Sequence, residues 1–234
     1  MKFAIISAGE GSRLTQEGIT VPKPLVELNG KPMIERLIRL FVRVGATEIA
    51  VIINKEQSET FECLEKLQTE FPLKIKVETT PSSMHSFYAL APFLTDDRFC
   101  LTTVDTIFRE DEFTRFIDEF NRTEADGMMA VTDYVDDEKP LYVSMDSNMR
   151  ITGFHDKKPD DCCYVSGGIY CLKSSSLKVL QRCMDEGVSR MRNFQRELVA
   201  EGMNLRAWSF NKIIDVDHVS DIAKAEAFLN ESDS

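Results

Sequence analysis

No apolar run in the 234 residues approaches the roughly 20 that a membrane-spanning helix needs, and Met1-Lys2 leads straight into a strand-like stretch with no signal-peptide core. That reading excludes a membrane partner and predicts a cytoplasmic location. Positive charge is also short: 28 Lys and Arg stand against 39 Asp and Glu, a formal net charge of −11. Nucleic acid and anionic membrane surfaces require an extended basic face, so neither is expected as a partner. A phosphate site in such a chain has to be a local basic island, with a divalent cation to help it. The six cysteines, Cys63, Cys100, Cys162, Cys163, Cys171 and Cys183, form no C-x-x-C pair, which removes the zinc-knuckle and redox motifs. They read as reduced and structural.

Two familiar glycine loops are missing as well. A P-loop needs Gly-Lys followed by Ser or Thr, whereas Gly11 is followed by Ser12-Arg13; the dinucleotide fingerprint needs a third glycine near position 14, where Leu14 stands. What is present is different. Phe3-Ala4-Ile5-Ile6 is a short apolar run of the kind that forms a buried strand. Ser7-Ala8-Gly9-Glu10-Gly11-Ser12-Arg13 then turns the chain with two glycines that let backbone N–H groups approach an anion closely. Arg13 and Lys23 supply positive charge for a phosphate chain, one as a planar fork and one as a point charge.

With 43% apolar residues the chain can bury a substantial core, and one α/β domain over residues 1–234 is expected, two small domains being the alternative. Residues 32–43 carry apolar side chains at 34, 37, 38 and 41, the spacing of one helix face, with Gly45 as its cap and a strand over 47–53 beyond it. A helix over 56–70 and a strand over 73–78 follow. The order strand, helix, strand, helix, strand predicts a mostly parallel sheet with helices on both faces. Polar residues 79–86 precede a helix over 87–94, and His85 reads as a loop or helix-start residue with no nucleophile constellation around His85, His155 and His218. Residues 99–105 form a buried strand ending in Asp105, which either caps the next helix, 111–121, or faces a ligand. Ligands of open α/β sheets collect at the carboxyl ends of strands, where Asp105 and the glycine loop both lie. Further strands are expected over 127–132 and 205–210, a hairpin over 142–145 and 150–154 that forms a lobe over one side of the cleft, and helices over 174–186 and 191–201. The strand over 164–172 contains Gly167 and Gly168, a sign of a bulge or a close backbone approach.

The pattern G-x-G-S-R, eight residues, P-K, then L-x-x-x-x-G-x-P-M-I resembles the signature of the sugar-phosphate nucleotidyltransferases. The resemblance implies a three-layer α/β/α fold around a Rossmann-like sheet of the nucleotide-diphospho-sugar transferase type. It implies that Ala8, Gly9, Glu10, Gly11 and Ser12 wrap a nucleoside triphosphate and that Arg13 and Lys23 act on its phosphates. It puts Ser82 and Ser83 where the family faces base and ribose, although the usual Gly-Thr pair is absent and the base stays open. Asp105 matches the family's metal-binding aspartate. The segment 213–229 resembles its closing D-x-D motif and helix, so Asp217 becomes the second ligand for Mg²⁺, with Asp215 as the alternative. Phe154 to Pro159 resembles F-x-E-K-P, with Lys158 as the acceptor-phosphate lysine and Lys157 in place of the acid. Gly167 and Gly168 fall on the strand that lines the acceptor pocket. The expected partners are a nucleoside triphosphate and a phosphorylated small-molecule acceptor, with a homo-oligomer left open. The expected activity is transfer of a nucleoside monophosphate to a sugar 1-phosphate, releasing pyrophosphate. The alternatives are a CTP-dependent enzyme for a phosphorylated amino alcohol such as phosphocholine, and a non-catalytic nucleotide-sugar-binding regulator. For the latter speak the departures at Lys157, Gln16 and Gly18.

Overall fold

The computed structural model describes residues 1–9, 11–136 and 138–231. The first half contains β1 (Lys2–Ser7), α1 (Ser12–Gln16), β2 (Glu27–Leu28), β3 (Lys31–Pro32), α2 (Met33–Arg43), β4 (Glu48–Ile53), α3 (Ser58–Gln68), β5 (Leu73–Val77), α4 (Ser83–Leu90), β6 (Arg98–Thr103) and β7 (Thr106–Ile107). The second contains α5 (Glu110–Arg122), β8 (Gly127–Thr132), β9 (Tyr142–Met145), β10 (Ile151–His155), β11 (Tyr164–Lys173), α6 (Ser176–Asp185), α7 (Met191–Ala200), β12 (Leu205–Ser209), β13 (Ile214–Asp215) and α8 (Val219–Asn230).

The main sheet runs β10-β9-β11-β6-β1-β4-β5, with β8 on the long strand β11 and β12 on β8. Strands β5, β4, β1 and β6 are parallel, and β11 joins antiparallel to β6, β8 and β9. Only β10 and β11 therefore oppose the common direction of the sheet's strands. The mostly parallel expectation holds.

Alternation along β1 builds the two faces. Phe3 and Ile5 pack with α2, α3, α5 and α8 on one side, whereas Ala4 and Ile6 pack with α4, α6 and α7 on the other. Each face is sealed by apolar helix stripes, so the central strands read as continuous hydrophobic runs. Under β1 the rings of Phe3 and Phe41 lie 4.6 Å apart, and Phe113 stacks on Phe41 at 5.6 Å.

Four local features depart from the expectations. A short helix, α1, replaces the turn after Gly11. The helix expected from 87 begins at Ser83 and takes His85 into its first turn. The hairpin β9–β10 extends the main sheet through β11 rather than standing over the cleft as a separate lobe. Finally, the two-residue strands β7 and β13 pair antiparallel, Thr106 with Asp215 and Ile107 with Ile214. That last pairing places the ends of two distant segments side by side.

Candidate active site

The carboxyl ends of β1, β4 and β6 open into a cleft of about 530 Å³. Ala8, Gly9, Gly11 and Ser12 form one wall; Asn54, Thr79, Thr80, Ser82, Ser83 and Ser86 form the other. Glu10, assigned to the same loop, lies outside the described residues. Gly11 has φ 63°, and a Cβ there would stand 2.9 Å from the Cβ of Lys23. Any other residue would be strained and would push Lys23 away. Pro24 is buried behind Lys23 in a 3-10 turn, which fixes the stem of that side chain.

The charged groups meet at the mouth of this cleft. Lys23 Nζ donates to Asp105 Oδ2 at 2.5 Å and to Asp217 Oδ1 at 2.7 Å, while Arg13 Nη1 donates to Asp217 Oδ2 at 2.8 Å. Burial pulls the Lys23 ammonium's pKa down, but Asp105 and Asp217 together outweigh it and the net shift is upward. The ammonium stays charged. Asp105 and Asp217 are brought together by the β7–β13 pair, helped by the Val216 N–H donating to the Asp105 carbonyl at 3.1 Å. Asp221 then accepts from the backbone N–H groups of Asp217 and His218, at 3.2 and 2.8 Å, and sets the start of α8.

A second chamber of about 250 Å³ lies across the Arg13–Asp217 pair. Gly167, Asp215, Tyr134, Asp136 and Lys224 line it. A Cβ on Gly167 would collide with Ile213, so the glycine keeps that wall open. Gly168, at φ 73°, turns toward Thr106 Oγ1 where β11 shifts register against β8. It shapes the wall without lining the chamber. The side chains of this chamber hold one another: Lys224 donates to Asp136 at 2.9 Å, and Tyr134 OH donates to the same carboxylate at 3.3 Å.

Arg13, Lys23, Asp105, Asp217, Asp215, Ala8, Gly9, Gly11, Ser12, Ser82, Ser83 and Gly167 thus fall on the walls of two adjoining chambers. Lys158 does not join them; it is exposed on the turn after β10. Sequence reasoning missed Asn54, and within the stretch 79–86 it singled out Ser82 and Ser83 but not Thr79, Thr80 or Ser86. Asn54 carried a usable signal, a polar residue directly after the apolar strand that neighbours β1.

Two carboxylates that reach one nitrogen converge on a single point, a donor set that suits Mg²⁺ when waters and phosphate oxygens complete it. Among the described residues no cluster of three or more His, Cys, Asp or Glu side chains is arranged to hold a metal ion alone.

Comparison with known proteins bears on the family and the fold. The family profile described as nucleotidyl transferase matches residues 2–232. Over 83 residues the chain is 40% identical to the mannose-1-phosphate guanyltransferase of Kluyveromyces lactis and 39% identical to that of Saccharomyces cerevisiae. That stretch is 35% of this chain and only 23% of each relative's length. In fold, a candidate glucose-1-phosphate thymidylyltransferase from Bacillus anthracis superposes with a TM-score of 0.85 at 19% identity, covering 100% of this chain and 97% of that one. The inositol-1-phosphate CTP transferase from T. maritima superposes at 0.78 with 16% identity, covering 98% of both chains.

Proposed function

The chain belongs to the nucleotidyl transferase family, and from that membership we propose that it transfers a nucleoside monophosphate from a nucleoside triphosphate to a sugar 1-phosphate, releasing pyrophosphate. The observation that carries the proposal is the meeting of Arg13, Lys23, Asp105 and Asp217 between the two chambers. Residues of about 1–110 supply most of the nucleotide chamber, and those from about 111 onward most of the acceptor chamber and the closing motif.

A phosphate oxygen of the acceptor attacks the α-phosphorus, a new P–O bond forms, and the bond to the β-phosphate breaks so that pyrophosphate leaves with the electron pair. Two anions must meet in line. Asp105 and Asp217 would hold Mg²⁺, which supplies charge neutralisation for the α-phosphate. The glycine loop cradles the triphosphate, and Arg13 holds the departing pyrophosphate. Lys23, held between the carboxylates by hydrogen bonds to both, turns to the transferring phosphate and offsets its developing charge. The acceptor phosphate is already ionised at pH 7, so no general base is required. Ser82, Ser83 and Asn54 face the base and ribose, and Gly167 and Asp215 face the acceptor. Lys158 is given no contact. A cytoplasmic setting fits these substrates, and among the described residues no helix is long and apolar enough to cross a membrane.

A second reading, CTP-dependent transfer to a phosphorylated amino alcohol such as phosphocholine, draws support from Tyr134 and the carboxylate of Asp215 on the acceptor chamber wall, chemistry that suits a cationic head group. The test is a screen of CTP, GTP, UTP and dTTP against hexose 1-phosphates and phosphocholine with Mg²⁺, reading pyrophosphate. One pair should turn over, and Asp105→Ala should lower its rate by about a thousandfold or more. Unchanged activity in that variant sinks the metal assignment, while nucleotide binding without turnover for any pair favours a regulatory protein.

A further inference from the structure

Gly9, in the phosphate-facing loop, has little support from packing. It is exposed, and a Cβ built on it would meet nothing within 4 Å. Its carbonyl nonetheless has one hydrogen bond among the described residues, from Gln57 Nε2 at 3.1 Å. Gln57 stands immediately before α3 and is only 8% exposed. It belongs to a short polar strut that crosses beneath the cleft. Thr79 Oγ1 on the far wall donates to Asn54 Oδ1 at 2.9 Å, and the Gln57 N–H donates to the Asn54 carbonyl at 3.1 Å. The strut therefore links the loop that faces the phosphates to the wall that faces the base and ribose.

The other end of the same amide argues that it is not there for stability. Among the described residues, Gln57 Oε1 is sealed from solvent and has no hydrogen-bond partner. A buried carbonyl without a donor weakens the fold, and an apolar side chain of the same length would fill the space without that defect. Turning the amide over offers no relief, because oxygen would then face the Gly9 carbonyl.

We propose that Gln57 is a positioning residue for the nucleotide: through the Gly9 carbonyl it holds the glycine loop in its phosphate-binding shape before the triphosphate arrives. The inference rests on the transferase reading above. Ordering a loop residue in advance removes an entropic term that the ligand otherwise meets on binding, so the effect falls on nucleotide affinity. Catalysis at saturation is untouched, because Gln57 reaches neither reacting phosphate.

The experiment compares the full chain with Gln57→Met and Gln57→Glu. Each of CTP, GTP, UTP and dTTP is titrated calorimetrically with MgCl2, and thermal midpoints and the KM for both substrates are measured. The triphosphate that binds the unaltered chain should bind Gln57→Met roughly three- to tenfold more weakly. The thermal midpoint should hold or rise, and the acceptor KM and kcat should be unchanged. Gln57→Glu, which sets a carboxylate against the Gly9 carbonyl, should lose more. Equal nucleotide affinity in the unaltered chain and Gln57→Met overturns this inference alone. So does a fall in affinity that tracks a fall in thermal midpoint, which is what a purely structural strut produces. No binding of any triphosphate to the unaltered chain overturns the transferase reading, and this inference with it.

Discussion

The two chambers that adjoin at Arg13 and Asp217 are built by different means. The chamber proposed for the nucleotide is built on strand ends and loop backbone: β1, β4 and β6 deliver Gly9, Asn54 and Asp105 from parallel neighbours whose register the core fixes. The chamber proposed for the acceptor is made of side chains that hold one another across loops, with Lys224 tied to Asp136 and Tyr134 tied to the same carboxylate. A chamber of backbone suits a ligand part common to every nucleotide, the phosphate chain. A chamber of exchangeable side chains suits the part that differs between substrates. On the proposed assignment, specificity for the acceptor would reside in residues that could change without disturbing the sheet.

Glycine substitutions on the two sides break this comparison most directly. Gly167→Ala is expected to have the larger effect, because its Cβ would collide with Ile213 and stand 3.3 Å from the Ala130 carbonyl inside a buried strand. Overpacking of that kind costs about 1–3 kcal/mol. The acceptor KM should rise while the affinity for the nucleotide, measured calorimetrically, stays unchanged. A variant that loses both equally shows that the chambers are one site with no division of labour.

Gly11→Ala tests the other side. Its φ of 63° is strained for an L side chain, by about 1–2 kcal/mol. Its Cβ would also press on Lys23. Nucleotide affinity should fall by roughly tenfold, at about 1.4 kcal/mol per decade, with the acceptor KM held. An acceptor KM that moves with it would place Lys23 on the acceptor's side instead.

The same contrast governs how much was legible in the sequence. The glycine loop, the parallel order and the end of the strand at Asp105 are local: an apolar run, a turn and a polar residue stand within a few positions of one another. The pairing of β7 with β13 is not. Two strands of two residues each have no periodicity to read, and they exist because the segments after Asp105 and before Asp217 meet in space. The family resemblance named Asp217, yet only the fold explains how it reaches Asp105. Residues 79–86 read as a polar loop because Ser, Thr and Pro dominate; the burial of Met84 against the sheet starts the helix four residues early. Gln57 had no local signal at all, since its partner is a backbone carbonyl 48 positions away. Lys158 shows the converse. The motif around it was legible, but the turn after β10 leaves it in solvent, outside both chambers.

The smallest expected effect lies beside the two chambers, where Glu17 at the end of α1 meets the start of α8. His218 Nδ1 and Glu17 Oε1 are 2.6 Å apart, and the Val219 N–H donates to Glu17 Oε2 at 2.7 Å. The hydrogen bond to Glu17 raises the His218 pKa against a weaker opposing effect of desolvation, and the bonds from His218 and Val219 lower that of Glu17. A raised histidine stabilises the fold below its unfolded pKa, and that contribution disappears as pH climbs through the folded value. A lowered carboxylate stabilises above its unfolded pKa and is lost as pH falls through the folded value. The tie is therefore complete between the ordinary carboxylate and imidazole values, about pH 4.3 to 6.5, and fades outside them. His218→Asn should lower the thermal midpoint most near pH 5.5 and least at pH 9, by a margin that shrinks with added salt because the pair is partly exposed. A difference of the same size at pH 9 would mean that the contact is packing rather than charge. The two chambers would then be joined by shape alone.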